Sequence, residues 1–208
     1  MTDPKYSSIY ISGFRATGKT TISLVLAKTL GWELVDIDEI ITLKSGKSIN
    51  ELTKNGQDWY KFRQLEHDTL TELLNKQRIV VSTGGGTLVN NIIENKSRLT
   101  FGQLNSGALL ADNKSLLVVL TANEATIEER MRNQEKAKAD TMRPILNASR
   151  ARQVQDHAKE QLIDEIVKDS LETLKEREPL YQKLTDHIID TGKLSIDESV
   201  QAILDYMQ

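Results

Sequence analysis

The sequence predicts an α/β fold, a three-layer α/β/α arrangement around a five-stranded parallel sheet. Short apolar runs alternate with segments of helical periodicity, which is the βαβ signature of a parallel sheet. Such runs are plausible strands of a sheet buried on both faces. A chain of 208 residues with 38% hydrophobic residues is also the size of one domain with a real core.

SIYIS (8–12) is the first strand, followed by a glycine-bearing loop. Ile22, Leu24, Val25, Leu26 and Leu30 then give a helix that Gly31 closes. ELVDI (33–37), RIVVS (78–82), LLVVL (116–120) and HIIDT (187–191) supply the other four strands. Residues 39–75 form a polar helical segment between the second and third strands. Residues 87–115 contain an Asn/Gly/Ser-rich piece, Gly102 to Gly107, that reads as a surface excursion. In the charged stretch 149–177, Val154, Ala158, Leu162, Ile166, Leu171 and Leu174 fall at helical spacing. That stripe suits packing on the core, or alternatively against a partner helix. The last helix starts at a capping box, Ser195 with Glu198, and carries Val200, Ile203, Leu204 and Met207 on one face.

Composition excludes several classes of function. A net charge of -3 with 5% aromatic residues argues against a general nucleic-acid binder or a partner for anionic membranes. The absence of cysteine removes disulfide frameworks and thiolate metal sites and fits a reducing compartment. His67, His157 and His187 are scattered and offer no metal-ligand spacing. MTDPKYSS has neither the basic start nor the apolar run of a secretory signal, so a cytoplasmic protein is expected.

The loop after the first strand reads Gly13-Phe-Arg-Ala-Thr-Gly18-Lys19-Thr20, a full match to G-x-x-x-x-G-K-[ST]. Phosphate binding demands this pattern. Backbone N–H groups must point inward at phosphate oxygens, and the following helix aims its positive end at the same place. Lys19 is placed to bridge β- and γ-phosphates and Thr20 to ligate Mg²⁺. The nucleotide-contacting set is then Gly13, Arg15, Ala16, Thr17, Gly18, Lys19, Thr20 and Thr21. At the end of the second strand stand Asp36 and Asp38. Strand alternation puts both on one side, about 7 Å apart. Asp36 can hold Mg²⁺ through water and Asp38 can take a proton from an attacking hydroxyl. The alternative for Asp38 is a helix N-cap. The third strand ends in Ser82-Thr83-Gly84-Gly85-Gly86, where bare backbone suits a polyhydroxylated ligand or, alternatively, a flexible turn.

In order along the chain, GFRATGKTT, VDIDEII, SINELTKNGQDWYKFRQLE, STGGG, TMRPIL and REPLYQKLTDHIIDT match the pattern of one family, and the chain resembles shikimate kinase. The resemblance implies a P-loop kinase fold and ATP-dependent phosphorylation of shikimate, at the 3-hydroxyl, on the route to aromatic amino-acid precursors. It implies that Asp38, Arg63, Gly85, Gly86 and Arg177 hold shikimate, with Arg63 and Arg177 clamping its carboxylate and Arg15 nearby. It makes Arg143, in a lid at about 133–149, a catalytic arginine alongside Lys19 and Asp38. A further arginine, Arg132 or alternatively Arg130, would pack on adenine. The cofactor is Mg²⁺, the partners are ATP and shikimate, and a monomer is expected. Taken alone, Arg63 reads rather as an exposed helix residue, and Arg177 as an ion-pair partner of Glu176 or Glu178. Ala16 stands where the family usually has glycine, a change the phosphate-loop pattern tolerates provided the backbone there does not need positive φ. The rivals are a kinase for another small hydroxylated acid, such as gluconate or quinate, and a non-catalytic shikimate or nucleotide sensor.

Overall fold

The structure, a computed structural model, describes residues 5–137, 144, 146 and 159–208. Five parallel strands, β1 (Ser8–Gly13), β2 (Glu33–Asp36), β3 (Ile79–Ser82), β4 (Ser115–Thr121) and β5 (Ile188–Asp190), lie in the order β2-β3-β1-β4-β5. The predicted sheet is therefore present, with boundaries within two residues of those expected.

Alternation along the strands sorts the core into two faces. Ile9, Ile11, Val80, Leu116 and Val118 point to one side, against Ile22 and Leu26 of α1 (Lys19–Leu30) and Val200 and Ile203 of the C-terminal helix. Tyr10, Val35, Val81, Leu117 and Val119 point to the other. There α2 (Ile37–Ser45), α3 (Ile49–Leu52), α4 (Tyr60–Leu73), α5 (Phe101–Ala111), α6 (Glu124–Ala137) and α7 (Lys159–Tyr181) cover the sheet. The C-terminal helix α8 (Ile196–Tyr206) begins at Ser195, whose hydroxyl accepts from the Glu198 N–H in the expected capping box.

Two expectations need correction, and a third is met over the residues described. Strand β2 ends at Asp36, so Asp36 and Asp38 do not alternate along one strand. The Asp36 carboxylate accepts from the N–H groups of Asp38 (2.9 Å) and Glu39 (3.3 Å), which makes Asp36 the N-cap and puts Asp38 in the first turn of α2. An acidic residue at the end of a strand supplies the acceptor that orphan helix N–H groups need, and the chain turns helical at once. The stretch Gly102 to Gly107 is helical, not an excursion. Thr100 and Gln103 form a capping box, and Gly102 lets the helix touch the next segment: a Cβ there would stand 2.6 Å from the Asn90 carbonyl oxygen. Among the described residues the amphipathic helix expected at 149–177 starts at Lys159 and runs on to Tyr181, with Pro179 in its last turn. Its Ile166 and Leu174 are buried, and Leu162 and Leu171 pack on the same core; Val154 and Ala158 lie outside the described residues.

Candidate active site

The loop Gly13–Gly18 sits at the carboxyl end of the central strand, where ligands bind in open parallel sheets. Gly13 has φ 137°, and a Cβ there would stand 2.2 Å from the Leu120 carbonyl oxygen, so no other residue fits. Ala16 has φ 63°, the left-handed conformation that costs an L-residue about 1–2 kcal/mol. The condition for tolerating alanine there without cost is thus not met, and the loop carries that strain. The Lys19 ammonium donates to the carbonyls of Gly13 (2.9 Å) and Phe14 (2.7 Å), which holds it across the mouth of the loop. Thr17 closes the turn from inside, its hydroxyl donating to Phe14 O at 2.8 Å. Thr20 and Thr21 lie exposed on the first turn of α1.

Facing this loop is a cluster of ionisable groups. The Asp38 carboxyl is pushed up to about 7, first by burial and then by the nearby carboxylates of Glu66 and Asp36, against which Arg63 and Lys19 pull. Its Oδ1 is buried and has no hydrogen-bond partner among the described residues. Arg63, from α4, is 3% exposed and forms a fully buried ion pair with Glu66 one turn on. Its guanidinium lies 4.7 Å above the Trp59 ring, and its Nε has no hydrogen-bond partner among the described residues. Arg177, from α7, donates to Gly85 O at 3.4 Å. Burial, and then repulsion from Arg63, lower its affinity for its proton against the pull of Tyr181 and Glu66. The two guanidinium groups are near enough to repel, and the one carboxylate that acts on both, Glu66, is paired with Arg63.

The triple glycine is explained by this crowding. A Cβ at Gly84 would stand 2.5 Å from a Glu66 oxygen, and one at Gly86 would stand 2.5 Å from an Arg63 nitrogen. Gly85 is different: the nearest atom to a Cβ there is 3.4 Å away, and its carbonyl instead accepts from Arg177 and from the hydroxyl of buried Tyr181. Burial pushes that tyrosine up to about 12, so it stays a donor.

Lys19, Asp38, Arg63, Glu66, Arg177 and the triple glycine line one cleft of about 230 Å³ between the loop, α2, α4 and α7, which Gln134, Pro144 and Leu146 also border. The sequence model of the shikimate kinase family matches residues 15–208. The chain belongs to the shikimate kinase family. A shikimate kinase of Chlorobium phaeobacteroides is 30% identical over 206 residues, covering 98% of this chain and 94% of that protein. One of Chlorobaculum tepidum is 34% identical over 199 residues, covering 95% and 88%. A solved shikimate kinase from Acinetobacter baumannii, in complex with shikimate, superposes with a TM-score of 0.72 at 25% identity, over 98% of this chain and 93% of that one.

The cleft brings together Asp36, Asp38, Arg63, Gly85, Gly86 and Arg177 with Arg15, Ala16, Gly18, Lys19, Thr20 and Thr21, while Gly13 and Thr17 support the loop without lining it. Arg143 and residues 138–143 lie outside the described residues, while 133–137 are the last turn of α6. Arg132 does not face the loop: it pairs with Glu128 (3.0 Å) and with Asp164 of α7 (2.6 Å). Arg130 does, donating to Ala16 O at 3.4 Å and to Thr191 O at 2.8 Å. Sequence reasoning missed Glu66, Trp59 and Tyr181 as parts of the site. The signal for Glu66 was present in FRQLE, where an acid three residues after Arg63 shares its helix face. Nothing local marks Tyr181, because its partner Gly85 is 96 residues away.

Proposed function

We propose that this chain transfers the γ-phosphoryl group of ATP to a hydroxyl of shikimate, the 3-hydroxyl of the family reaction. The observation that carries this is the convergence of Arg63 and Arg177 with Asp38 opposite the phosphate loop. A neutral sugar acceptor has no anionic group for the Arg63 and Arg177 guanidinium groups to hold. A small acid bearing hydroxyls has one, and each charge-assisted contact to its carboxylate fixes its orientation as well as its affinity.

The acceptor lies against the segment 39–75 and the triple glycine, its carboxylate between Arg63 and Arg177, with Arg15 close to it. Asp38 takes the proton of the attacking hydroxyl, which its raised proton affinity suits at neutral pH. The phosphates lie over the N–H groups of the loop 13–18 and the start of α1, with Lys19 on the β- and γ-oxygens. Thr20, and Asp36 behind a water, are the oxygen donors that would hold Mg²⁺; both border the cleft, and hard oxygen donors suit that ion. The ion would neutralise phosphate charge. Arg143, in the proposed lid at about 133–149, adds charge to the transferring group and helps exclude water. Arg130, rather than Arg132, is the arginine we assign to the nucleotide side, since it already braces Ala16 and Thr191. Every group comes from one chain, so a monomer suffices. No helix among the described residues is long and apolar enough to cross a membrane. We assign the reaction to the cytoplasm, where its co-substrate ATP is at hand.

The test is ADP release from Mg-ATP in the presence of shikimate, quinate or gluconate. Turnover should depend on shikimate. For a neutral acceptor, replacing Arg63 or Arg177 would barely change its KM, and ligand binding without ADP release would leave a sensor.

A further inference from the structure

The guanidinium of Arg63 is paired with Glu66, and Glu66 is itself held by a residue that does not line the cleft. Glu66 is fully buried, so both its oxygens need donors. One takes Arg63; the other accepts the hydroxyl of Thr87 at 2.5 Å. The terminal torsion of a glutamate is broad, and a carboxylate held at one oxygen alone can swing. The Thr87 hydroxyl removes that freedom.

Thr87 is in turn held at both backbone groups. Its N–H donates to Gly84 O at 3.1 Å, and its carbonyl accepts from the Asn105 side-chain amide at 2.8 Å. With its nitrogen so engaged, Asn105 presents its oxygen to His67 Nδ1, 2.6 Å away, and the neighbour of His67 on α4 is Glu66. The hydrogen bonds therefore close a ring from α4, through the turn after the triple glycine, to α5 and back. Thr87 and Asn105 are both fully buried.

We propose that Thr87, braced by Asn105, is a positioning residue that holds the Glu66 carboxylate where it aims the Arg63 guanidinium at the acceptor's carboxylate. This rests on the reading of the site given above. Thr87 does not line the cleft, so its effect must travel through Glu66 to the acceptor side and spare ATP binding.

Thr87→Val keeps the shape and removes the hydroxyl. The KM for shikimate should rise about 10-fold, in line with a lost hydrogen bond to a charged group, while the KM for ATP stays within about twofold. Thr87→Ser should restore the shikimate KM. With the amide of shikimate, which lacks the negative charge, Thr87→Val and the wild type should differ little. An unchanged shikimate KM overturns the proposal. So does a parallel rise in both KM values, a Thr87→Ser enzyme as impaired as Thr87→Val, or an equal penalty with the amide. Should Thr87→Val fail to fold, Asn105→Ala reads the ring one link further out, with the same selective rise expected and an unchanged value overturning it. Trp59 beneath Arg63 gives a fluorescence titration with shikimate that needs no turnover. A wild type that neither turns over nor binds shikimate would remove the functional reading; a responsive wild type with an unaltered Thr87→Val would remove this inference alone.

Discussion

Asp38→Asn separates the cost of the proposed base from its use. The carboxyl is raised from 3.8 to about 7, chiefly by burial and then by Glu66 and Asp36. Below pH 3.8 it is neutral in the folded and unfolded chain alike and costs nothing. As pH rises towards 7 the unfolded chain releases the proton and the folded chain keeps it, so stability falls across that interval and stays reduced above it. At about 1.4 kcal/mol per pH unit the interval sets an upper bound of about 4 kcal/mol. Asp38 is half-buried and faces an open cleft, and solvent screening brings the working figure to about 1–2 kcal/mol. The amide cannot ionise and escapes this term. Asp38→Asn should therefore melt about 2–8 °C above the wild type at pH 8, with the gap closing towards pH 4. Turnover should fall about 10²–10⁴-fold with the KM for ATP unchanged, and wild-type kcat/KM should drop as pH falls below about 7. Thermal melts at pH 4.5 to 8 with initial rates check all of this. A variant no more stable than the wild type at pH 8, or a gap independent of pH, would refute the electrostatic reasoning. Equal loss of ATP affinity would move Asp38 to the nucleotide side.

The two arginines should separate in the same way. Arg177→Ala removes a charge with no buried carboxylate of its own and should raise the shikimate KM about 10–100-fold with little change in melting temperature, whereas Arg63→Ala strands Glu66 and should also cost about 3–5 kcal/mol in urea unfolding. Gly86→Ala, whose Cβ would press on Arg63, should weaken shikimate binding at least about 10-fold, as the cost of displacing a charge-assisted contact. Gly85→Ala leaves the free protein undisturbed, so isothermal titration of that variant reports ligand contact directly. Ala16→Gly relieves a left-handed alanine and should raise the melting temperature by about 1–3 °C, as less than 1 kcal/mol does for a chain of this size, with the KM for ATP unchanged.

The legible parts of this molecule were those whose physics is local. The five strands show as apolar runs, the phosphate loop as a fixed spacing, and the α8 start as Ser195 with Glu198. Asp36 was legible as a residue but not in its role, because cap and strand terminus compete for the same position and only the turn of the chain decides between them. The stretch from Gly102 to Gly107 looked like loop from composition. Its glycine is there to let α5 approach Asn90, and Thr100 with Gln103 supplies the start signal that composition obscured. The site's supporting contacts were the least legible: Tyr181 to Gly85, Thr87 to Glu66 and Asn105 to Thr87 join segments far apart in the chain. The choice between Arg130 and Arg132 was of the same kind, since Asp164 draws one away and Thr191 holds the other at the loop.

The central claim is that one cleft joins a phosphate loop to an acceptor site built for a hydroxylated carboxylic acid. Coupled measurement of ADP release with Mg-ATP and shikimate, quinate or gluconate in turn tests it most directly. The account predicts ADP release that depends on shikimate and is lost in Asp38→Asn. ADP release indifferent to shikimate, or a preference for gluconate that survives Arg177→Ala, would contradict it.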